Sequence, residues 1–316
     1  MNLHIPPHSF KLSSMKHIPT PYHGWVLLDK PLTLSSQQAV TKVSHLFGRA
    51  KAGHAGTLDP LATGLLPIAL GEATKLISYI MDKDKTYEFT VTWGEERATD
   101  DAEGAVIKTC VVRPTQDQIL AILPQFRGNI HQIPPIYSAI KVEGRRSYDL
   151  ARKGEEVSLK SRPVTIHTLT LLGAPSPSEA RFEVTCSKGT YVRSLARDLA
   201  QALGAVGYVS ALRRTKVGPF LEENAVTLTK LLEFQGKSGI EEHVNPVDTV
   251  LDDILVVTLT IEEMERLRLG QRLPFLEVPV GVSMGDTVVC KDANNQIGAM
   301  ALWKDGVLHP KRVFNF

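Results

Sequence analysis

Asp59 stands in the run Gly53-His54-Ala55-Gly56-Thr57-Leu58-Asp59-Pro60-Leu61-Ala62-Thr63-Gly64-Leu65-Leu66-Pro67, one carboxylate among glycines and prolines too closely spaced for a helix or strand interior. It is therefore expected on a loop. Pro60 biases Asp59 towards extended backbone and forbids helix there, while Gly53, Gly56 and Gly64 let the chain approach a ligand closely. A carboxylate presented in this way can serve as a nucleophile or a general base. The same residues would also make a turn in which Asp59 only caps the next segment, and spacing alone leaves both readings open. His54 with Asp59 makes a poor metal site, because no second His or Cys lies nearby.

The elements that must position this loop follow from periodicity. Trp25 to Leu28 reads as a buried strand, and Ser35 or Ser36 can cap a helix with Ala39, Val40, Val43, Leu46 and Phe47 on one face, stopped by Gly48. After the loop, Ala73, Leu76, Ile77 and Ile80 suggest a helix. Tyr87, Phe89, Val91 and Trp93 alternate with polar residues as a half-buried strand whose buried face begins at Tyr87. Thr115 and Gln118 form a capping box ahead of a second amphipathic helix. Phe182, Val184 and Cys186 form a strand that runs into Ser187-Lys188-Gly189-Thr190. The helix that follows carries Val192, Leu195, Ala196, Leu199 and Leu203 on one face and ends at Gly204. Tyr191 and Arg193 sit at its first turn, where a cation is mildly unfavourable and calls for a partner.

The expected fold class is α+β, a mixed, largely antiparallel central sheet flanked by helices, with a small β-rich C-terminal domain. Residues 1–22, free of Asp and Glu, read as a flexible extension. Residues 23–250 form the main domain and 251–316 the small one. Residues 128–154, with Pro134, Pro135 and a basic cluster, read as an insertion outside the core. That cluster is Lys141, Arg145, Arg146, Arg152 and Lys153; Arg213, Arg214 and Lys216 make a second. The net charge of +2 is too small to reveal a polyanionic partner, so only such local clusters bear on phosphate contact. No apolar run is long enough to cross a bilayer. Cys110, Cys186 and Cys290 are widely spaced and odd in number, which suits a reducing, cytoplasmic setting; Cys110 and Cys186 are expected to be buried.

Several blocks resemble, in order, those of the TruB family of bacterial tRNA pseudouridine-55 synthases. They are Gly24-Trp25-Val26-Leu27-Leu28-Asp29-Lys30-Pro31, the Asp59 run, Gly71-Glu72-Ala73-Thr74-Lys75, Pro134-Pro135-Ile136-Tyr137-Ser138-Ala139-Ile140-Lys141, Cys186-Ser187-Lys188-Gly189-Thr190-Tyr191-Val192-Arg193 and Leu212-Arg213-Arg214. The likeness spans residues 22–316 and is weakest at the C-terminal end. It implies the pseudouridine synthase fold with a PUA-like RNA-binding domain at residues 251–316, and isomerisation of uridine 55 in the TΨC arm of tRNA. The insertion would then be the thumb-like element that grips RNA. Asp59 would be the catalytic carboxylate, Arg193 the cation that keeps it charged, and Tyr87 and Tyr191 aromatic contacts to the base, with Tyr87 counted among the catalytic residues. His54 would fill the space left by the flipped base. Leu212 would touch the uracil, and Lys30 and Lys75 would bind substrate. Lys141, Arg145, Arg146, Lys153, Arg213 and Arg214 would contact the RNA backbone.

Moving the glycosidic bond from N1 to C5 adds and removes nothing, so no cofactor, metal or energy source is expected. The carboxylate can attack C1′, add to C6 or help remove the C2′ proton, and sequence does not choose among these. No membrane association and no obligate protein partner are expected, and a monomer suffices. Two other readings stand beside this one. A non-catalytic RNA-binding protein or folding chaperone would have no use for Asp59, and a dyskerin-type synthase within a guide-RNA particle fits poorly with the basic insertion. Ala55, where many relatives carry Thr or Gly, and the N-terminal extension, which has no evident family counterpart, are the two departures from the pattern.

Overall fold

The computed structural model describes residues 22–138, 140–142, 144–155, 157–275 and 277–316, apart from the side chains of Lys141 and Arg146. The extension expected over residues 1–22 therefore lies, except for Tyr22, outside the described residues.

The chain opens with β1 (Gly24–Lys30) and α1 (Ser36–Leu46), the latter started by a Ser35–Gln38 capping box. Next come β2 (Ala52–His54), β3 (Ala62–Leu70), a 3-10 turn (Gly71–Leu76) and α2 (Ile77–Met81). Then follow β4 (Lys85–Trp93), β5 (Glu95–Arg97), β6 (Val106–Thr109) and α3 (Gln116–Ile122), which uses the expected Thr115–Gln118 capping box. A strand β7 (Gly128–Gln132) leads into the small hairpin β8 (Lys141–Val142) and β9 (Arg145–Arg146) and into α4 (Ser147–Arg152). The long pair β10 (Arg162–Ser176) and β11 (Glu179–Cys186) precedes α5 (Val192–Ala202). After it come β12 (Gly207–Val217), β13 (Phe220–Leu221), β14 (Val226–Thr227) and α6 (Leu228–Leu232). The C-terminal part holds β15 (Val256–Thr258), α7 (Ile261–Arg268), β16 (Leu273–Pro274), β17 (Thr287–Lys291), β18 (Ile297–Lys304) and β19 (Val307–Val313).

Among the described residues, ten strands join one mixed sheet in the order β14-β1-β3-β12-β4-β11-β10-β7, with β2 and β13 as side branches of β3 and β12. Only β1/β14 and β3/β12 pair in parallel; the other neighbours are antiparallel. The fold is α+β, with a second, five-stranded sheet β15-β17-β18-β19-β16 at the C-terminal end.

Three expectations change. The first concerns the loop, which ends sooner than its glycines and prolines suggest, because Ala62 to Leu70 is a nearly fully buried strand. It pairs from Gly64 to Leu70 with β1 on one side. On the other side it pairs first with β12, through Ala62 to Gly64, and then with β2, through Ile68 to Leu70. Pro67 falls between these partners. Its carbonyl accepts from the Ala55 N–H at 2.9 Å on the β2 side, so its missing N–H faces the same seam and removes no rung from β1. Second, Gly128–Gln132, expected outside the core, is the edge strand of the sheet, and the chain leaves the sheet only after Gln132. A strand with Ile130 as its sole apolar residue carries no alternation to read. Third, Cys110 is partly exposed beyond the exposed β6, whereas Cys186 and Cys290 are buried, which pushes their thiols up to about 11 and about 12.

The C-terminal sheet shares a core with the large one. Val289, Ile297, Met300 and Phe314 pack with Trp25, Leu65, Leu76 and Val250. The Trp25 indole also donates to the Val247 carbonyl at 3.1 Å, so the stretch expected to hold the boundary, 245–252, packs against β1.

Gly64 has φ +96°, and a Cβ there would lie 2.4 Å from the Arg214 carbonyl oxygen and 2.9 Å from its nitrogen. Gly48 has φ +64° with nothing within 4 Å of such a Cβ. Gly64→Ala should destabilise by about 2–4 kcal/mol, since both strain and a backbone collision apply, and Gly48→Ala by about 1 kcal/mol from strain alone. Urea unfolding of the two variants checks the difference; equal losses would show that β12 does not press on Gly64.

Candidate active site

The loop bearing Asp59 is held from several directions. Ser36, buried in the first turn of α1, donates its hydroxyl to the Leu58 carbonyl at 2.9 Å and accepts from the Leu58 N–H at 2.8 Å. On the other side of Asp59, the Pro60 carbonyl accepts from the Thr33 N–H at 2.8 Å and from the Lys30 ammonium at 3.4 Å. Clamped on both sides, Asp59 points its carboxylate into an open cavity of about 1510 Å³.

Behind the carboxylate lies Arg193, in the first turn of α5, its side chain only 7% exposed. Its Nε is 3.0 Å from Asp59 Oδ2, and its Nη1 is 3.4 Å from Asp101 Oδ2 and donates to the Thr99 carbonyl at 3.0 Å. Nη2 donates to the Tyr137 carbonyl at 3.1 Å. A buried cation at the positive end of a helix is thus matched by two carboxylates and two carbonyls. The segment from Thr99 to Asp101 is pinned a second time by Arg197, whose Nη1 lies 2.9 Å from Asp100 Oδ2. Burial pushes Asp100 up to about 6 in spite of Arg197 and Arg193 beside it.

The cavity brings together His54, Asp59, Tyr87, Tyr191, Arg193, Leu212 and Arg214 from β2, the loop, β4, the start of α5 and β12. Tyr87 is half-buried, opening towards the cavity, and burial raises its phenol, only partly opposed by Arg214. Burial lowers the His54 imidazole and Arg214 lowers it further, so it is neutral at neutral pH; its buried Nδ1 has no partner among the described residues. The Arg162 guanidinium lies 5.0 Å from the centre of the Tyr191 ring.

Other expected site residues are placed elsewhere. Arg214, expected at an RNA phosphate, is 1% exposed and turns inward, donating to the Leu65 carbonyl at 2.8 Å and the Gly56 carbonyl at 3.1 Å. It thereby fills the seam where β3 changes partners. Arg213 is engaged by Asp29, at 3.0 and 3.2 Å, and by Glu222, at 2.6 Å. Lys30 is fully buried behind the cavity wall, its ammonium on the carbonyls of Pro31, Leu34 and Pro60; burial, opposed by Asp59, lowers it to about 8. Lys75 lies outside the cavity, on Glu72 at 2.6 Å and the Val313 carbonyl at 2.7 Å, in a second groove with Lys51, Lys311 and Arg312. Arg145 is exposed and paired with Glu155 at 2.6 Å, and Lys153 is exposed. The side chains of Lys141 and Arg146 lie outside the described residues; their backbones pair across the β8–β9 hairpin.

Sequence reasoning passed over Asp101, Lys85 and Arg162. Asp101 sits in an acidic turn, Asp100-Asp101-Ala102-Glu103-Gly104, whose charge was the available signal. Lys85 opens β4 as a buried residue, its ammonium on the carbonyls of Met81 and Lys83, and burial followed by Arg214 lowers it to about 8.

Residues 44–192 match the family described as TruB family pseudouridylate synthase (N terminal domain), and residues 193–252 match the tRNA pseudouridylate synthase B C-terminal domain. A tRNA pseudouridine synthase B of Bradyrhizobium diazoefficiens is 50% identical over 298 residues, covering 93% of this chain and 86% of that protein. One from Caulobacter sp. (strain K31) is 47% identical over 296 residues, covering 92% and 96%. In fold, the chain resembles a chain of a Cbf5-Nop10-Gar1 complex with a TM-score of 0.71 at 24% identity, over 93% of this chain and 85% of that one. The fold and the relatives define an isomerase of the pseudouridine synthase class. Within that class, the chain belongs to the TruB family.

Asp100 gives the site a pH signature in stability. Its carboxyl ionises near 3.8 when unfolded and near 6 when folded, so between these values the folded state binds more protons. Stability should therefore fall as pH rises from about 4 to about 6, by up to about 3 kcal/mol from this group. Asp100→Asn should lose that fall, and urea titrations across the window should show the variant gaining on the parent as pH rises. A pH-independent difference would show that Asp100 is not held protonated by burial.

Proposed function

We propose that this enzyme converts uridine 55 in the TΨC loop of tRNA to pseudouridine, with Asp59 as the catalytic carboxylate. The observation that carries this reading is the Arg193–Asp59 pair at 3.0 Å, which orients a partly exposed carboxylate at the wall of a cavity large enough for an extruded nucleotide. The tRNA substrate is supported by the relatives that cover nearly the whole chain, which are tRNA pseudouridine synthases.

A uridine held in a folded arm must leave its stack before a carboxylate can reach C1′, C2′ or C6. Tyr87 and Tyr191 offer flat faces to the flipped base, Leu212 an apolar edge, and His54 a neutral ring suited to the vacated space. Asp59 then acts on the sugar or the base as the bond to N1 breaks. Arg193 balances its charge throughout while its other N–H groups keep the guanidinium from moving towards the substrate's phosphates.

Backbone contacts fall to exposed cations. The hairpin and helix bearing Arg145 and Lys153 are the gripping element, and the groove of Lys51, Lys75, Lys311 and Arg312 suits phosphates further along the RNA. We assign residues 251–316 as a PUA-like RNA-binding unit. The protein acts on tRNA in the cytoplasm, alone and as a monomer.

Tritium release from a tRNA transcript labelled at uracil C5 tests the assignment. The wild type should release tritium, and Asp59→Asn should lose at least about 10³-fold in rate while still binding tRNA, as expected for loss of a group acting directly on the reacting atoms. A folded, tRNA-binding wild type without release would sink the reading. Separately, Arg145→Glu with Lys153→Glu should weaken tRNA binding at low salt and make log Kd less steep in log salt by about 1–2. An unchanged slope would remove these residues from the gripping element.

A further inference from the structure

Gln132 ends β7 as a fully buried polar side chain and takes no part in lining the cavity. Its carboxamide makes two hydrogen bonds to a single residue. The Tyr191 N–H donates to Oε1 at 2.8 Å, and Nε2 donates to the Tyr191 carbonyl at 3.1 Å. Backbone chemistry fixes which way the amide faces, since Tyr191 can only donate through its N–H and only accept through its carbonyl.

Tyr191 is the N-cap residue of α5, and its own side chain makes no capping hydrogen bond. Its carbonyl already accepts from the Leu195 N–H at 3.0 Å, so the Gln132 bond uses the remaining lone pair. Its N–H belongs to the unpaired set at a helix start, and Gln132 supplies the acceptor that a Glu or Gln in the first turn of the helix provides in a capping box. Arg193 follows two residues later. The next turns of α5 hold the same stretch of chain, with Ser194 Oγ and Arg197 Nη2 both donating to the Ile133 carbonyl at 2.8 Å.

We propose that Gln132 is a positioning residue for the reaction, locking the backbone of Tyr191 on both sides so that the Tyr191 ring and the Arg193 guanidinium enter the cavity in fixed register. The inference rests on the proposed roles of Asp59, Arg193 and Tyr191. Arg162, paired with Gln132 across β7 and β10, completes the arrangement: its Nη2 donates to the Gly189 carbonyl at 2.6 Å while its guanidinium covers the Tyr191 ring. The clamp thus ties the edge strand, from which the gripping segment departs, to the first turn that carries the catalytic cation.

The test uses two variants of nearly unchanged shape. Gln132→Glu keeps the acceptor for the Tyr191 N–H but sets a second oxygen against the Tyr191 carbonyl, and Gln132→Met removes both bonds. With full-length tRNA and thermal melts to verify folding, each should lower kcat by at least about tenfold with KM within about twofold, because displaced groups act in the transition state rather than in RNA capture. A kcat within twofold of the parent in either folded variant, or a loss confined to KM, would overturn the proposal. Should both variants fail to fold, hydrogen exchange of the wild-type Tyr191 amide decides. Protection supports the clamp, and exchange as fast as in an open loop refutes it. A wild type that binds tRNA but releases no tritium would instead count against the proposed function, and the same exchange measurement would still judge the clamp.

Discussion

The buried guanidinium of Arg193 is the constraint on which the site depends. A cation with 7% of its side chain exposed, at the positive end of α5, is tenable only if carboxylates and carbonyls surround it. Those partners come from parts of the chain that share no local structure: the loop at Asp59, the acidic turn at Thr99 and Asp101, and the excursion at Tyr137. Satisfying one charge therefore fixes three loops together. Removing any partner leaves the others facing an under-satisfied cation, so the geometry around Asp59 is cooperative and not a sum of separate contacts.

The sheet supplies the fixed frame for that network. β3 is held along one edge by β1 but changes partners along the other, and the gap between β12 and β2 is where a strand would expose bare carbonyls. Arg214 occupies that gap, bonding the Leu65 and Gly56 carbonyls. A buried cation thus replaces the missing rungs at the point where the strand meets the loop. Its field adds to the burial that lowers the His54 imidazole and that opposes the charging of Lys30 and Lys85.

Elements whose local chemistry and burial agree were legible in the sequence. The capping boxes at Ser35 and Thr115, the alternation of Phe89, Val91 and Trp93, and the Gly204 stop after α5 all carry their cause within a few residues. β3 was obscured because Gly64 and Pro67 answer to neighbours distant in sequence, namely β12 pressing on one and the seam accommodating the other. β7 has too few apolar residues to show a period. Among the site residues, the types present were readable, but the direction of a cation was not. Arg213 and Arg214 were expected at phosphate and Lys30 and Lys75 at the substrate, and each is engaged by the protein's own carboxylates or carbonyls. Asp101 was passed over because its partner lies 92 residues further on, at Arg193.

This sorting of cations explains how a chain of net charge +2 can be suited to a polyanion. The inner set, Lys30, Lys85, Arg193 and Arg214, is buried and engaged by the protein's own carbonyls and, at Arg193, carboxylates, so it shapes the cavity and does not reach out to a phosphate. Arg145, Lys153, Lys311 and Arg312 remain at the surface, where Coulomb attraction is long-ranged at low salt and screened within about 8–10 Å at physiological salt. Part of that outer set depends on the docking of the C-terminal sheet. Lys75 reaches the Val313 carbonyl and Glu72 accepts from the Asn315 N–H at 2.8 Å, so β19 brings Lys311 and Arg312 beside Lys51 only when the shared core around Trp25 and Phe314 is closed. Apolar burial thus determines where these exposed cations stand. A uniform excess of positive charge would attract RNA in every orientation, whereas cations placed by a packed core would favour one, and under the proposed function that one delivers a nucleotide to Asp59.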